Sequence, residues 1–413
     1  MKKSHKITIP TALMLILLAV VATFNITFFA ATEYYNSQLD QLNQLESRYS
    51  KLKSVADIVQ KYFVADYDEA DAIEGALAGY IDGLGDQWSA YYNKEQTARL
   101  AEDDANVYVG IGVTFSTDPA SLYTITAVTA GGPAAQAGLL AGDVIRAADG
   151  VDVDTLASSE DLIALVKGEK GTDVVITVDR EGSELTFTVT RDEIHTEKVT
   201  ARMLPGNIGY LALEDFSSGV ADSCLTKLNS LKDQGAVGFI FDVRNNPGGY
   251  LNEMHKILDT LLPEGIVITT VDKQGNETPY LSDADCLGMP LVVLTNEYSI
   301  SAAEFFAAAL QEYEAATVVG APTSGKGYSQ QTFMLADGSS VHISTTRYYT
   351  PKGNSLADTG MTPDILVETD TDQLRQLLSG DLADADDTQL QAGVTALNAL
   401  VSAAANTDST PAE

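Results

Sequence analysis

The most constraining feature of the sequence is an uncharged stretch near the N-terminus. Residues 7–32 contain no charged side chain, and Glu33 ends the run. A helix of this length can cross the hydrocarbon layer of a bilayer, which is about 30 Å thick. Lys2, Lys3 and Lys6 precede the run, and basic flanks stay on the cytoplasmic side. The sequence therefore predicts a single-pass anchor in the cell membrane, with all later domains outside the cytoplasm.

A cleaved signal peptide is the competing interpretation of this stretch. The apolar part of a signal peptide is usually shorter. Cleavage after Ala30 or Ala31 would also put Phe28 or Phe29 where a small residue is needed. We therefore expect an uncleaved anchor. Under either interpretation, the remainder of the chain is exported.

Composition and charge narrow the classes of function. A chain of 413 residues is too long for one compact core and predicts two or three domains. The formal charge of −33 argues against a nucleic-acid partner, because phosphate binding needs clustered Lys and Arg. Cys224 and Cys286 lack metal-ligand spacing, so we expect no structural zinc site, and the hypothesis developed below requires no metal or cofactor. Whether these two cysteines form a disulfide stays open.

Residues 33–98 have a helical pattern, with apolar residues at steps of three and four among polar ones. The clearest stretch runs from residue 39 to residue 55, and two interpretations of it stay open. It is either a helix that packs on its own domain or an arm through which two copies form a homodimer. The string LGDQWSAYY at residues 84–92 is interpreted as a turn that leads into a structural aromatic cluster.

Residues 99–193 change to a β-rich pattern. Strands are predicted over residues 107–115 and 122–128, a short helix over 134–137 and a longer helix over 158–167. A closing hairpin is predicted to turn at Glu181 and Gly182.

Two strings in this β-rich region carry a resemblance to a known domain. GIGV at 110–113 and GPAAQAGLLAGD at 132–143 closely resemble a PDZ domain. The resemblance implies a glycine loop that binds a terminal carboxylate, and a strand to which a peptide adds as a further strand. The implied peptide-binding residues are Gly110, Ile111, Gly112, Val113, Leu162 and Val166. A small β-domain without a ligand is the alternative.

Residues 194–385 alternate between strands and helices, which predicts an α/β core with a mostly parallel sheet and a site at the ends of its strands. Continuous apolar runs at 237–243 and 291–295 are typical of strands buried on both faces. Residues 386–413 are predicted to form a C-terminal helix and a disordered tail.

Three strings in the α/β half stand out for their chemistry: DVRNNPGG at 242–249, TNEYSISAAE at 295–304 and GAPTSGKGYSQ at 320–330. A serine hydroxyl becomes a nucleophile when a base takes its proton, and none of the four histidines has a recognisable triad setting. A buried lysine can act as this base, because burial disfavours the ammonium form. We therefore expect Ser301 to attack and Lys326 to accept the proton, with Gln330 orienting the lysine amine.

The same hypothesis needs donors for the negative charge that develops on the substrate oxygen. The candidates are the backbone N–H of Ala302 at a helix N-terminus and an N–H of Gly248 or Gly249. Taken one at a time, Ser301 could serve as a helix cap and Lys326 as a turn lysine. A phosphate-binding loop would need Ser or Thr directly after the lysine, where this chain has glycine.

This half of the chain resembles the C-terminal processing peptidases, or tail-specific proteases, of peptidase family S41. In that family the nucleophilic serine lies three residues before a glutamate, the lysine follows 25 residues later, and a glutamine comes four after the lysine. Ser301, Lys326 and Gln330 match all three positions. The resemblance implies a serine endopeptidase that acts on proteins or peptides with accessible C-termini. With the PDZ strings it covers most of residues 55–370.

The chain also departs from the family pattern near the serine. Glu297 and Tyr298 replace the usual glycines, Ala303 replaces a serine and Ser324 replaces a phenylalanine. These changes leave the serine and lysine in place and bear on substrate preference. The rival hypothesis from another class is a non-catalytic, membrane-tethered PDZ adaptor built on an inactive protease fold.

Overall fold

The structure is a computed structural model that describes residues 8–118 and 121–407, without the side chains of 37–46, 48, 103, 406 and 407. The chain divides into two compact units, one ending at Gly75 and the other beginning at Ala76. The predicted lysine flank and the end of the C-terminal tail lie outside the described residues. The unit that begins at Ala76 contains both the β-rich region and the α/β region.

The N-terminal unit is dominated by one long helix, α1 (Ile9–Tyr62), with α2 (Glu69–Asp82) beginning after a short break. The part of α1 that is apolar enough to cross a membrane is Ile9–Asn36, and none of its most apolar window is buried. At 1.5 Å per residue this segment exceeds the thickness of a bilayer core. The chain therefore has one N-terminal apolar helix that could span a membrane.

The second unit opens with a short strand and a helix, followed by the PDZ-like domain. The elements in this part are β1 (Ala90–Tyr92), α3 (Lys94–Ala105), β2 (Val107–Gly110), β3 (Val113–Phe115), β4 (Ile125–Val128), α4 (Pro133–Ala137), β5 (Val144–Ala148), β6 (Val151–Asp152), α5 (Ser159–Val166), β7 (Asp173–Arg180), β8 (Ser183–Thr190) and β9 (Asp192–His195).

The PDZ-like domain is a β-rich fold with two helices around its own core. Its largest sheet has the order β6-β5-β7-β8, and β7 and β8 form a hairpin. Glu181 and Gly182 make its turn, both with positive φ, which matches the twist of the flanking strands. The strand predicted over 107–115 is interrupted at Gly112, whose φ is 76°. This break separates β2 from β3 and forms the glycine loop.

The α/β core follows. Its elements are β10 (Val199–Leu204), β11 (Ile208–Leu213), α6 (Val220–Asp233), β12 (Gly238–Asp242), α7 (Leu251–Leu261), β13 (Gly265–Asp272), β14 (Glu277–Ser282), β15 (Leu291–Thr295), α8 (Ala302–Glu312), β16 (Ala316–Gly320), β17 (Tyr328–Met334), β18 (Ser340–Tyr349), β19 (Ile365–Leu366), α9 (Thr371–Ser379) and α10 (Thr388–Thr407).

The central sheet has six strands in the order β10-β11-β12-β15-β16-β19. Only the β10–β11 pair is antiparallel, so the sheet is mostly parallel, as the sequence predicts. Every residue of β12 and β15 is buried, because helices cover both faces. The helices α6, α7 and α8 pack on one face, and Leu390 and Leu397 of α10 pack on the other.

A second, antiparallel sheet lies beside the core. It joins β14, β13, β18 and β1 in that order, and β17 also pairs with β18. The strand β1 precedes the PDZ-like domain in sequence, yet Ala90 pairs with His342 of β18. The regions of the chain before and after the PDZ-like domain therefore contribute strands to the same sheet.

Candidate active site

The three chemically notable strings meet at one edge of the central sheet. The strands β12, β15 and β16 are adjacent and parallel, and they end at Asp242, Thr295 and Gly320. Each of the three strings continues directly from one of these strand ends. Since carboxyl ends of parallel strands share an edge, this topology gathers the strings in one place.

The turn that carries Ser301 is held by backbone and side-chain hydrogen bonds. Ser299 donates through its hydroxyl to the carbonyl of Val243 at 2.7 Å, and the Ile300 N–H donates to the carbonyl of Asn246 at 2.9 Å. Ser301 is 7% exposed and has φ 57°, a strained value for a residue with a side chain. It directly precedes α8, and the N–H of Ala302 has no hydrogen-bond acceptor among the described residues.

The glycine turn after β12 packs directly against the Ser301 turn. A Cβ added to Gly248, whose φ is 101°, would lie 2.9 Å from both the Ile300 oxygen and the Ser301 Cβ. The N–H of Gly248 donates to the Asn246 side chain at 2.8 Å, so it is occupied in this conformation. The N–H of Gly249 makes no such bond among the described residues. Ala302 and Gly249 therefore retain free donors here.

A buried ion network anchors the glycine turn from behind. Arg244 forms ion pairs with Asp242 and with Asp387, and all three residues are at most 7% exposed. Burial alone would lower the pKa of Arg244, but the two carboxylates raise it, so the guanidinium stays charged. Asp387 lies just before α10, so the C-terminal helix and the site are fixed together. The sequence suggests the pairing of Asp242 with Arg244 but gives no indication of Asp387.

Glu304 connects the serine turn to the lysine turn. Its Oε2 accepts hydrogen bonds from the N–H groups of Ser301 at 2.7 Å and Lys326 at 2.9 Å. Its Oε1 accepts from the Thr323 hydroxyl at 2.7 Å and the Gly325 N–H at 2.6 Å. Burial raises the pKa of Glu304. The four hydrogen bonds favour the carboxylate and therefore act in the opposite direction. One side chain thus fixes the backbone of both turns.

The lysine amine has a different set of contacts. Lys326 Nζ lies 4.6 Å from the ring centroid of Trp88, and its side chain is half-buried. Burial lowers the pKa of Lys326, while the charges of Glu304 and Asp86 act in the opposite direction. Among the described residues, the amine makes no hydrogen bond with Ser301 or Gln330. The structure therefore brings the backbones of 301 and 326 together without joining their side chains.

Gln330 is turned toward β18. Its amide nitrogen donates to the Ser344 hydroxyl at 3.0 Å and to the Tyr328 carbonyl at 3.2 Å. A register irregularity between Ser329 and Gln330 lies at this point of the β17–β18 pair. In this conformation the glutamine amide is engaged away from the lysine.

The PDZ-like domain offers a second candidate site at its glycine loop. Gly110 ends β2, Ile111 is 1% exposed, and the Ile111 and Gly112 N–H groups have no acceptor among the described residues. The strand β3, which begins at Val113, pairs only with β4 in the described part of the chain, so its other edge is free. A peptide strand could add there.

The helix α5 places Leu162 and Val166 inward. Leu162 is 0% exposed and Val166 is 7% exposed, and both belong to the core of the PDZ-like domain. In this conformation they support the wall of the domain and present little surface to an incoming peptide.

Comparison with known proteins identifies both regions. Residues 207–367 match the family model "Peptidase family S41", residues 108–190 match "PDZ domain", and residues 16–96 match "Activating protease CtpB N-terminal domain". A carboxyl-terminal-processing protease of Synechocystis sp. is 35% identical over 350 residues, which cover 83% of this chain and 79% of the relative. The chain belongs to peptidase family S41, the carboxyl-terminal-processing proteases.

Further relatives agree with this assignment. The carboxy-terminal processing protease CtpA of Bacillus subtilis is 29% identical over 326 residues, covering 78% of this chain and 70% of the relative. The solved structure of a Bacteroides fragilis protein described as an S41 protease matches the fold with a TM-score of 0.53, at 17% identity. That match covers 82% of this chain and 93% of the other. Carboxyl-terminal-processing proteases of family S41 are serine peptidases, and this chain is one.

Neither cysteine belongs to the three strings that meet at the edge of the central sheet. Cys224 is buried in α6 and Cys286 is exposed, and both are free thiols. Burial raises the pKa of the Cys224 thiol to about 12, so it remains protonated. Among the described residues, no group of three or more His, Cys, Asp or Glu side chains is arranged to hold a metal ion.

Two contacts of the S41 site were missed by the sequence analysis. Trp88 was assigned a structural role within the aromatic string at 84–92, and Glu304 served only as a marker of spacing. The clue to Trp88 was its position just before a strand, β1, but the pairing of β1 with β18 joins segments that are distant in sequence. The clue to Glu304 was a glutamate three residues after a serine, the pattern of a capping box.

Proposed function

We propose that the protein is a membrane-anchored, extracytoplasmic endopeptidase in which Ser301 is the nucleophile and Lys326 the general base, with Gln330 orienting the lysine amine. The observation that carries this proposal is the shared carboxylate of Glu304, one oxygen of which binds the backbones of Ser301 and Lys326. The two turns are therefore held side by side, and the proposal requires the lysine side chain to rotate toward the serine hydroxyl.

The chemistry follows from the environment of each group. The uncharged Lys326 amine takes the proton of the Ser301 hydroxyl as its oxygen attacks the peptide carbonyl. The oxyanion is stabilised by hydrogen bonds from the free N–H groups of Ala302 and Gly249. The N–H of Gly248 contributes once its hydrogen bond to the Asn246 side chain is broken. The lysine then returns the proton to the leaving amine, and water completes the hydrolysis of the acyl-enzyme. Burial favours this cycle, because it lowers the pKa of the lysine.

The PDZ domain is proposed to bind the C-terminus of the protein substrate. The free N–H groups of Ile111 and Gly112 would donate hydrogen bonds to the carboxylate, and the free edge of β3 would pair with the last residues of the substrate. A substrate with a free C-terminal carboxylate should then be cleaved faster than the same peptide with an amidated end. Equal rates for the two peptides would contradict this part of the proposal.

The apolar part of α1 is proposed as an uncleaved, single-pass anchor. The segment Ile9–Asn36 has the required length, and its apolar side chains are exposed. Protease treatment of intact cells should digest the S41 domain while leaving a tag at residue 1 protected. Recovery of a soluble, N-terminally shortened chain would instead indicate a cleaved signal peptide.

A homodimer formed through the N-terminal arm remains a prediction. The exposed apolar residues Tyr49, Leu52, Val55 and Ile58 lie on α1 at helical spacing. Sedimentation of the full chain in detergent, beside a Leu52→Glu and Val55→Glu double variant, tests it. A mass that is the same for both proteins argues against this arm as the interface.

The catalytic proposal is tested by digestion of an unstructured, tailed peptide with the full chain in detergent. Ser301→Ala and Lys326→Ala should each abolish turnover, and Gln330→Ala should reduce it. Lys232→Ala, which removes a lysine from the end of α6, is the matched control and should cleave normally. Equal proteolysis by all variants would defeat the mechanism. Binding of the peptide without cleavage by the wild type would favour a PDZ adaptor.

A further inference from the structure

Trp88 belongs to a turn that is fixed from both sides. Asp86 accepts hydrogen bonds from the Trp88 N–H at 3.1 Å and from the Ser89 hydroxyl at 2.6 Å. The same Ser89 oxygen accepts from the N–H of Ser344 in β18 at 3.1 Å. The turn is therefore tied to the sheet that also carries Gln330. These hydrogen bonds fix the position of the backbone that carries the indole.

The face of the indole receives the Lys326 amine. A distance of 4.6 Å from the amine nitrogen to the ring centroid lies within the range of a cation–π contact. This contact attracts the ammonium, because the ring face carries negative potential, and it offers little to the uncharged amine. It is the one ring contact that the amine makes among the described residues.

The charged groups around the amine act in both directions. Asp86, on the turn before β1, and Glu304, on α8, both favour the ammonium, whereas burial of the side chain favours the uncharged amine. His342 of β18 faces the same space. Its pKa is lowered mainly by burial and to a smaller extent by the charge of Lys326. The histidine is therefore disfavoured as a second cation there. Trp88 adds a further contribution that favours the charged lysine.

We propose that Trp88 is a positioning residue for Lys326, whose ammonium it holds against the indole and away from Ser301, so that the amine must lose its proton to solvent and leave the ring before it can act as a base. The inference rests on the proposed role of Lys326. It assigns a function to a residue that forms no part of the serine, lysine and glutamine set.

The first test uses the fact that Trp88 is the only tryptophan in the chain. Indole emission of the full-length protein in detergent is followed from about pH 6 to about pH 9.5, below the tyrosine range. We expect one step at the lysine titration, present in the wild type and in His342→Gln and absent in Lys326→Met. An identical titration in the wild type and Lys326→Met would overturn the inference.

The second test measures the pH profile of kcat/KM for Trp88→Leu and Trp88→Phe. Loss of the ring face should move the acid limb to lower pH by about 0.4 to 1.5 units, the strength of a cation–π contact expressed as a pKa shift. Below the limb this raises kcat/KM about threefold to thirtyfold. Phenylalanine keeps a weaker ring face, so its shift should be smaller than that of leucine.

The outcomes separate this inference from the proposed catalytic role. A purely structural Trp88 would lower activity equally at every pH without moving the limb, and that result would overturn the inference. If Lys326→Met cleaves like the wild type, the base assignment itself fails, whatever the emission does. If Lys326→Met is inactive but its indole emission titrates like that of the wild type, the catalytic role of Lys326 stands and the positioning role of Trp88 is rejected.

Discussion

The two halves of the active site are built in different ways. The Ser301 turn is buried, strained at φ 57° and packed against the backbone of Gly248. The Lys326 turn shares its backbone anchor with the serine through Glu304, but the lysine side chain is half-buried and rests on an indole. The serine that we propose as nucleophile is thus fixed by backbone contacts, whereas the lysine that we propose as base is held by a side-chain contact that can be released.

This difference has a thermodynamic consequence. Distorting the serine turn requires moving buried backbone, which is costly because interiors are close-packed. Moving the lysine amine from the ring toward the hydroxyl changes one side chain and one cation–π contact, a cost of about 0.5 to 2 kcal/mol. The lysine side is therefore the part of the site that can rearrange at the smaller cost in free energy.

The largest effect is expected from a change that breaks the serine side. Gly248→Ala puts a Cβ 2.9 Å from the Ile300 oxygen and the Ser301 Cβ, so the serine turn must shift. Since a displacement of about 1 Å can cost a hundredfold in rate, kcat should fall about a hundredfold or more. The measurement is steady-state cleavage of a tailed peptide by the full chain.

Gly235→Ala is the matched control for this change. Gly235 has a nearly equal φ of 95°, but nothing lies within 4 Å of an added Cβ. Both variants share the backbone strain of about 1 to 2 kcal/mol, and only one touches the site. Equal losses of activity in the two would show that the backbone contact at Gly248 does not hold Ser301 in an active position.

The next effect concerns the carboxylate that both halves share. In Glu304→Gln the amide nitrogen must face two of the four donors, either those on Ser301 and Lys326 or those on Thr323 and Gly325. Leaving buried donors unpaired should lower the free energy of unfolding by about 2 to 5 kcal/mol and reduce kcat about tenfold to a hundredfold. Thermal unfolding and peptide cleavage measure the two effects.

Glu312→Gln, on the same helix, is the control for the shared carboxylate. Glu312 also accepts several hydrogen bonds, from Thr350, Lys352 and Asn354, yet it contacts neither catalytic turn. It should keep near-normal kcat. If Glu304→Gln retains full activity, the two halves are not coupled through this side chain.

The serine side was largely predictable from the sequence, because its determinants are local. A buried apolar run followed by a turn and a helix start predicts a strand that leads into a helix N-terminus, and β15 and α8 have this form. The role of Ser301 as nucleophile stays a prediction. The glycine turn at 247–249 is predicted by the same local reasoning. The mostly parallel order of the central sheet follows from the alternation of strands and helices.

The lysine side could not be predicted in the same way, since its determinants are distant in sequence. Trp88 reaches Lys326 only because β1 pairs with β18, across the whole PDZ domain. The serine side has one contact of the same long-range kind: behind the glycine turn, Asp387 reaches Arg244 only because α10 folds under the central sheet. No local periodicity encodes either contact, and both depend on the register and packing of elements that the sequence specifies only one at a time.

A smaller effect is expected from the charge on the lysine side. Asp86 favours the ammonium of Lys326, so Asp86→Asn should lower the pKa of the lysine further below its ordinary value of 10.5. Because the lysine acts uncharged in the proposed mechanism, kcat/KM should rise with pH up to this pKa. The acid limb should therefore move to lower pH, by about half a unit. Asp82→Asn, at the end of α2, is the control, and an upward shift in Asp86→Asn would contradict the argument.

The smallest effect tests whether Gln330 is held back on the lysine side. Ser344 accepts a hydrogen bond from the Gln330 amide at 3.0 Å, which competes with any bond from Gln330 to the lysine. Ser344→Ala should remove one of the two hydrogen bonds that hold the amide and raise kcat about twofold, the lower end of what one net hydrogen bond provides. Ser339→Ala, whose hydroxyl donates to Asp337, is the control on the turn before the same strand. A fall in kcat for Ser344→Ala, with Ser339→Ala unchanged, would mean that this hydrogen bond supports the active arrangement, and the lysine side would then be as firmly built as the serine side.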